Sequence, residues 1–72
     1  MGNLKKEVGE KLKQERVRLG LTQSFVAKKL SMTQQQYSRF ENGVFELNYN
    51  QLLFLSNLFE VSIDYLFGKS KY

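Results

Sequence analysis

The stretch "VAKKLSMTQQQYSRFENG", residues 26–43, decides the fold of this chain. It contains two short helical patterns that are separated only by the tripeptide SMT. The first pattern ends near Leu30, Thr33 is a good N-cap for the second, and Asn42 and Gly43 would end it. A connection this short between two helices predicts a helix-turn-helix unit.

The two helices of this unit have distinct inner and outer faces. Ala27 is small at the point where the helices must approach closely. The larger apolar residues predicted to face a core are Val26, Leu30, Met32, Tyr37 and Phe40. With those inside, the outer face of the second helix carries Gln34, Gln35, Ser38, Arg39 and Asn42. Gln36 points sideways from that face, so we expect it to be solvated surface.

Helical patterns continue on both sides of the unit, and the chain has no proline to interrupt them. Further N-caps are predicted at Thr22, Asn48 and Ser62, and Gly20 and Gly68 would end two of the helices. The inward residues of the first helix are predicted to be Leu4, Val8, Leu12 and Leu19. Those of the last two helices are predicted to be Tyr49, Leu52, Leu53, Phe59, Ile63 and Leu66. We therefore predict an all-α fold, a compact five-helix bundle with one helix-turn-helix unit, formed by a single domain over residues 1–72.

Charge is unevenly distributed along the chain, which has a net charge of +4. Residues 1–41 hold nine Lys or Arg against four Glu, a balance of +5. Residues 42–68 hold three acidic residues and no basic one, a balance of −3. This asymmetry suggests a face that attracts polyanions such as nucleic acid, although charge alone does not distinguish it from an ordinary soluble surface.

The composition argues against several functional classes. Cysteine and histidine are both absent, which removes disulfides, thiolate chemistry, the commonest general base and the commonest metal ligand. We find no paired carboxylates at useful spacing and no phosphate loop, so we expect no enzyme, metal site or cofactor. No apolar run approaches the roughly 18 residues of a membrane span. We therefore expect a cytoplasmic protein without membrane association.

Three stretches carry a resemblance to a known family: "RLGLTQ" at 18–23, the stretch at 26–43, and "LLFLSNLFEVSIDYLFG" at 52–68. In this order and spacing, residues 8–68 resemble the phage-repressor-like helix-turn-helix domains of the Cro and xenobiotic-response-element type, with 69–72 as a tail. The resemblance implies a five-helix bundle that binds double-stranded DNA. It also implies a recognition helix at roughly 34–42 that enters the major groove.

The resemblance implies roles for individual residues. The residues expected to reach base edges are Gln34, Gln35 and Arg39. Those expected to contact phosphates are Gln23, Ser38 and Asn42. The chemistry is sensible, since glutamine can bond adenine bidentately and arginine can do so with guanine. The implied function is a sequence-specific transcriptional regulator that binds a palindromic site as a homodimer.

The chain also departs from the family pattern. Ser31 stands where the family often has glycine in a left-handed turn, and Glu60 replaces a frequent glycine. Phe25 replaces the usual acidic residue at the third position of the second helix, so no capping box is expected there. The loop "VFEL" at 44–47 replaces a loop that is often basic, and Glu46 within it would repel a phosphate.

Two further expectations concern residues outside the DNA-reading set. Arg16 lies on the apolar side of the first helix, and Glu41 lies on the inward face of the third, so we expect a structural ion pair between them. Apolar residues at Val44, Phe45 and Phe54 are a candidate protein interface. An alternative function is therefore a protein-interaction module, antitoxin-like or a regulator-partner domain, that holds a partner through the 44–47 loop.

Overall fold

The computed structural model describes residues 3–69; residues 1–2 and 70–72, the latter in the predicted tail, lie outside the described part. Over residues 3–69 the chain forms five helices and no strand. The helices are α1 Leu4–Arg18, α2 Gln23–Lys29, α3 Gln34–Glu41, α4 Tyr49–Phe59 and α5 Ile63–Leu66. The radius of gyration is 11.0 Å, about what a compact chain of this length should have. The predicted all-α five-helix fold is confirmed, with α2 and α3 as the helix-turn-helix unit.

Side-chain caps begin α2, α3, α4 and α5 at the predicted places, and Asn3, which was not predicted, caps α1. Each capping oxygen accepts a hydrogen bond from the backbone N–H three residues later, at Thr22, Thr33, Asn48 and Ser62. At α2 the third position is Phe25, and no reciprocal bond forms there, as expected. These caps satisfy N–H groups that have no partner within the helix.

The Gln36 side chain is exposed, as expected, but it also has a structural role that the sequence analysis did not assign. Its Oε1 accepts a hydrogen bond from the Thr33 backbone N–H at 2.9 Å, while Thr33 Oγ1 accepts from the Gln36 N–H at 3.1 Å. This reciprocal pair is a capping box, and it fixes the first turn of α3. The side chain is exposed, but it folds back onto the backbone of its own helix.

Two non-glycine residues adopt the left-handed backbone conformation, both at positions where the family often has glycine. Ser31 and Glu60 both have a φ of 58°. At Ser31 the reversal allows the Met32 N–H to donate to the Ala27 carbonyl at 3.0 Å, which closes the end of α2. The turn between α2 and α3 therefore depends on a strained serine.

The core lies between α1, the helix-turn-helix unit and the two last helices. Its buried apolar residues are Val8, Leu12, Val26, Ala27, Tyr37, Leu55, Phe59 and Leu66. None of the helices within residues 3–69 is both long and apolar enough to cross a membrane.

The predicted inward faces of α1 and α4 were partly wrong. Tyr49 is 75% exposed and Leu53 is 44% exposed, whereas Leu55 is fully buried. Helix α4 is apolar on nearly all sides, so its periodicity does not select a face, and packing against α1 and α5 does. Leu4 and Leu19 are also exposed, because they lie at the two ends of α1, while the middle of that helix is buried.

Gly9 permits α1 to lie directly against α3. It is buried, and a Cβ atom added there would overlap the carbonyl oxygens of Phe40 and Glu41. A side chain at this position would push the C-terminal end of α3 away from α1. The close crossing therefore fixes where the outer face of α3 lies.

Candidate nucleic-acid interface

The outer face of α3 is polar, as the sequence predicts. Its exposed residues are Gln34, Gln35, Arg39 and the C-cap Asn42, with Ser38 half-buried among them. The opposite face holds the fully buried Tyr37 and the nearly buried Glu41. The residues predicted to contact DNA on α3 therefore share one face, at helical spacing.

Gln34 is connected to the helix in front of it. Its Nε2 donates to Gln23 Oε1 at 2.9 Å, and Gln23 Nε2 donates in turn to Glu41 Oε1 at 3.0 Å. A carboxylate only accepts hydrogen bonds, so the Gln23 amide group must direct its NH₂ toward Glu41 and its oxygen toward Gln34. Gln34 must then present an N–H inward, which leaves its own oxygen and second N–H free to face outward.

Gln23, expected at a phosphate, is thus partly engaged within the protein. It is half-buried at the first position of α2, where its amide joins α2 to both ends of α3. The amide nitrogen carries two hydrogens, and the bond to Glu41 uses one of them. One N–H remains for an external acceptor.

The structure brings Arg16 and Glu41 together in a forked ion pair. Arg16 Nε lies 2.7 Å from Glu41 Oε2, and Arg16 Nη2 donates to Oε1 at 3.2 Å. A third bond runs from Arg16 Nη1 to the Leu21 carbonyl at 2.9 Å. The two side chains are only 12% and 1% exposed. This pair joins α1, the α1–α2 turn and the last residue of α3.

The surroundings of this pair shift its protonation equilibria. Burial acts to raise the pKa of Glu41, but the hydrogen bonds from Arg16 and Gln23 outweigh it and hold the pKa below its ordinary value. Hydrogen bonding to Glu41 raises the pKa of Arg16. Both groups therefore stay charged across the neutral range.

The Tyr37 hydroxyl is buried beside the same carboxylate. Burial raises the pKa of Tyr37, and the negative charge of Glu41 raises it further. Within residues 3–69 this hydroxyl has no hydrogen-bond partner of acceptable geometry. The phenol consequently remains neutral and fills space beneath the outer face of α3.

Arg39 and Asn42 end the outer face. The Arg39 guanidinium carbon lies 5.7 Å from the centre of the Phe45 ring. Asn42 Nδ2 approaches Ser38 Oγ at 3.4 Å, a long hydrogen bond that leaves both side chains available. The candidate protein-interface residues Val44, Phe45 and Phe54 are all exposed.

Comparison with known proteins agrees with this geometry. The helix-turn-helix family model matches residues 12–66. This chain belongs to the helix-turn-helix family. It is of the xenobiotic-response-element type, a family of DNA-binding transcription regulators.

Two curated helix-turn-helix relatives come from Bacillus subtilis (strain 168). The HTH-type transcriptional regulator ImmR is 39% identical over 64 residues, covering 89% of this chain and 50% of that protein. The uncharacterized HTH-type transcriptional regulator YqaE is 42% identical over 57 residues, covering 79% of this chain and 49% of that protein. This chain therefore spans about half the length of the curated relatives it matches. No solved structure gives a significant match.

Sequence reasoning missed three features of this helix-turn-helix site. The Thr33–Gln36 capping box could have been found, because Thr-x-x-Gln is its sequence signature. The bonds of Gln23 and the close approach at Gly9 depend on how helices distant in sequence cross. A glycine within a helical pattern is the one local sign of such an approach.

Proposed function

We propose that this chain is a sequence-specific regulator of transcription that binds double-stranded DNA, with residues 34–42 in the major groove. The observation that supports this most strongly is the outer face of α3. There, exposed amide and guanidinium groups stand on a helix that is buried behind them through Tyr37 and Glu41. Buried anchors and capped ends hold those groups in a fixed arrangement, which base reading requires.

In this proposal, Gln34, Gln35 and Arg39 read base edges. Glutamine bonds adenine N6 and N7, and arginine bonds guanine O6 and N7. The outward oxygen and N–H of Gln34 match the donor and acceptor pair that adenine requires. Ser38, Asn42 and the remaining N–H of Gln23 contact phosphates, which fix the position of the helix but carry no base preference.

A homodimer would supply the specificity that one short helix lacks. A two-fold dimer places two recognition helices about 34 Å apart, one turn of DNA, and so matches a palindromic site. The exposed loop at 44–47 and the fifth helix are candidate contact surfaces. Such a regulator would act in the cytoplasm.

Affinities of matched variants for DNA test this function. Duplexes selected from a random pool would first define a preferred sequence. Gln34→Ala and Gln35→Ala should each weaken binding to that sequence by about 1–3 kcal/mol and leave binding to scrambled DNA nearly unchanged. Lys28→Ala is the matched control, since loss of a charge should weaken both equally and flatten the salt dependence. Equal losses on both duplexes for the glutamine variants would contradict base reading.

A protein-interaction module remains the second candidate. The exposure of Val44, Phe45 and Phe54 favours it, because solvent-exposed large apolar residues often mark contacts with other proteins. Titrations of random and enriched duplexes at two salt concentrations distinguish the candidates. A regulator should retain its preference for the enriched duplex at the higher salt, whereas an interaction module should show no preference at either.

A further inference from the structure

Arg39 has an aromatic partner in the loop that follows its own helix. Its guanidinium carbon lies over the Phe45 ring, 5.7 Å from the ring centre and within the range of a cation–π contact. Both residues are exposed, and within residues 3–69 the guanidinium makes no ion pair or hydrogen bond. Within the same residues, the Phe45 ring is therefore the interaction partner of this guanidinium.

Backbone hydrogen bonds hold the loop where this contact can form. Gly43 has a φ of +75°, and the Val44 N–H donates to the carbonyl of Arg39 itself at 2.9 Å. This reversal ties the residue before Phe45 to the backbone of Arg39. On its other side Gly43 lies against α1, because a Cβ atom there would be 2.7 Å from the Lys6 Cα. The position of Phe45 thus follows from the folded backbone.

A cation–π contact is compatible with base reading. The five N–H donors of a guanidinium lie in its plane, so a ring against one face leaves the donor edge free. A side chain that is already ordered also loses less conformational entropy when it binds. Contact with Phe45 would therefore favour the bidentate bond to guanine without taking part in it.

We propose that Phe45 is a positioning residue for DNA reading, whose ring holds the Arg39 guanidinium ready for a guanine edge. This inference rests on the proposed function. It gives the 44–47 loop a role that needs no positive charge. In this role Phe45 orients the Arg39 side chain, and the loop does not contact phosphate. Exposure of the Phe45 ring follows from that role, since a buried ring could not lie beside an outward-facing arginine.

The contact can be tested without DNA. A ring above the guanidinium should shift the NMR signals of the Arg39 side-chain protons upfield. Phe45→Leu should abolish that shift, Phe45→Tyr should retain it, and Val44→Ala, a change at the preceding exposed residue, should leave it unaltered. Unshifted Arg39 signals in the parent protein would overturn the inference.

The consequence for reading is tested on duplexes that differ only at the guanine opposite Arg39. Phe45→Leu should lower the discrimination ratio about two- to fivefold, the range of an exposed cation–π contact. In an Arg39→Ala background, Phe45→Leu should have no further effect on this ratio. If the parent discriminates and Phe45→Leu does so equally, the positioning role is overturned. If the parent shows no base preference, the proposed function fails, and the NMR shift alone then reports the contact.

Discussion

Arg16 and Glu41 are 25 residues apart in sequence, yet two hydrogen bonds of 2.7 and 3.2 Å join their side chains. The pair connects the middle of α1 to the last residue of α3. It also lies one side chain away from the proposed reading face, since Gln23 bonds both Glu41 and Gln34.

Breaking this pair should destabilise the protein. Arg16→Ala leaves the Glu41 carboxylate buried without its cation, and Glu41→Gln leaves the guanidinium without its anion. Each change should lower the free energy of unfolding by roughly 3–5 kcal/mol, as for other buried pairs that lose one member. Chemical denaturation measures the loss, and the double variant should lose less than the sum of the two. Parent-like stability in both single variants would contradict a structural role for the pair.

Stability should also fall on acidification because of Glu41. Its folded pKa lies below the ordinary value of 4.5, so the unfolded chain takes up the proton more readily. The contribution is fully present above the unfolded pKa and is lost as the pH falls through the folded pKa. Thermal unfolding measured from neutral pH down to about pH 2 should show this loss. Glu41→Gln should show a weaker pH dependence of stability over the same window. If the variant and the parent depend on pH equally, the loss of stability comes from other carboxyl groups.

Gln35 and Gln36 are neighbours whose roles should separate cleanly. Gln36→Ala removes half of the capping box and should lower stability by up to about 1 kcal/mol without changing base preference. Gln35→Ala should leave the melting temperature near that of the parent, because the side chain is exposed. Melting curves and DNA affinities measured on both variants check this. If Gln36→Ala lost its base preference and Gln35→Ala kept it, the roles assigned to the two glutamines would be wrong.

Relieving the strained turn should stabilise the helix-turn-helix unit. Ser31 has a φ of 58°, which glycine adopts without steric cost, so Ser31→Gly should gain up to about 1 kcal/mol. Ser24→Gly is the matched control, since Ser24 is exposed within α2 and the change there should cost roughly 0.5 kcal/mol. Thermal unfolding of both variants gives the comparison. A Ser31→Gly protein that melts below the parent would show that the serine is not strained.

Local patterns predicted most of this fold. The caps at Thr22, Thr33 and Ser62 depend on a side chain and a backbone group three residues away, so sequence alone determines them. The partnership of Arg16 with Glu41 was also predictable, because each charge falls on an otherwise apolar helical face.

Features that depend on helix crossing were not predictable in this way. The exposure of Tyr49 and Leu53 depends on how α4 rotates against its neighbours, and a helix that is apolar on nearly all sides does not encode that rotation. The bonds of Gln23 likewise require two helices to bring three side chains within reach. The contact between Arg39 and Phe45 requires the reversal at Gly43, which folds the loop back over α3.

The two faces of the eight-residue helix α3 have different roles. Tyr37 and Glu41 hold the helix to the rest of the protein, whereas Gln35 and Arg39 project outward and contribute nothing to the core. Under the proposed function, substitutions on the outward side would alter which DNA is preferred while the folded state is preserved. Single mutations there would then change the target site without a loss of stability.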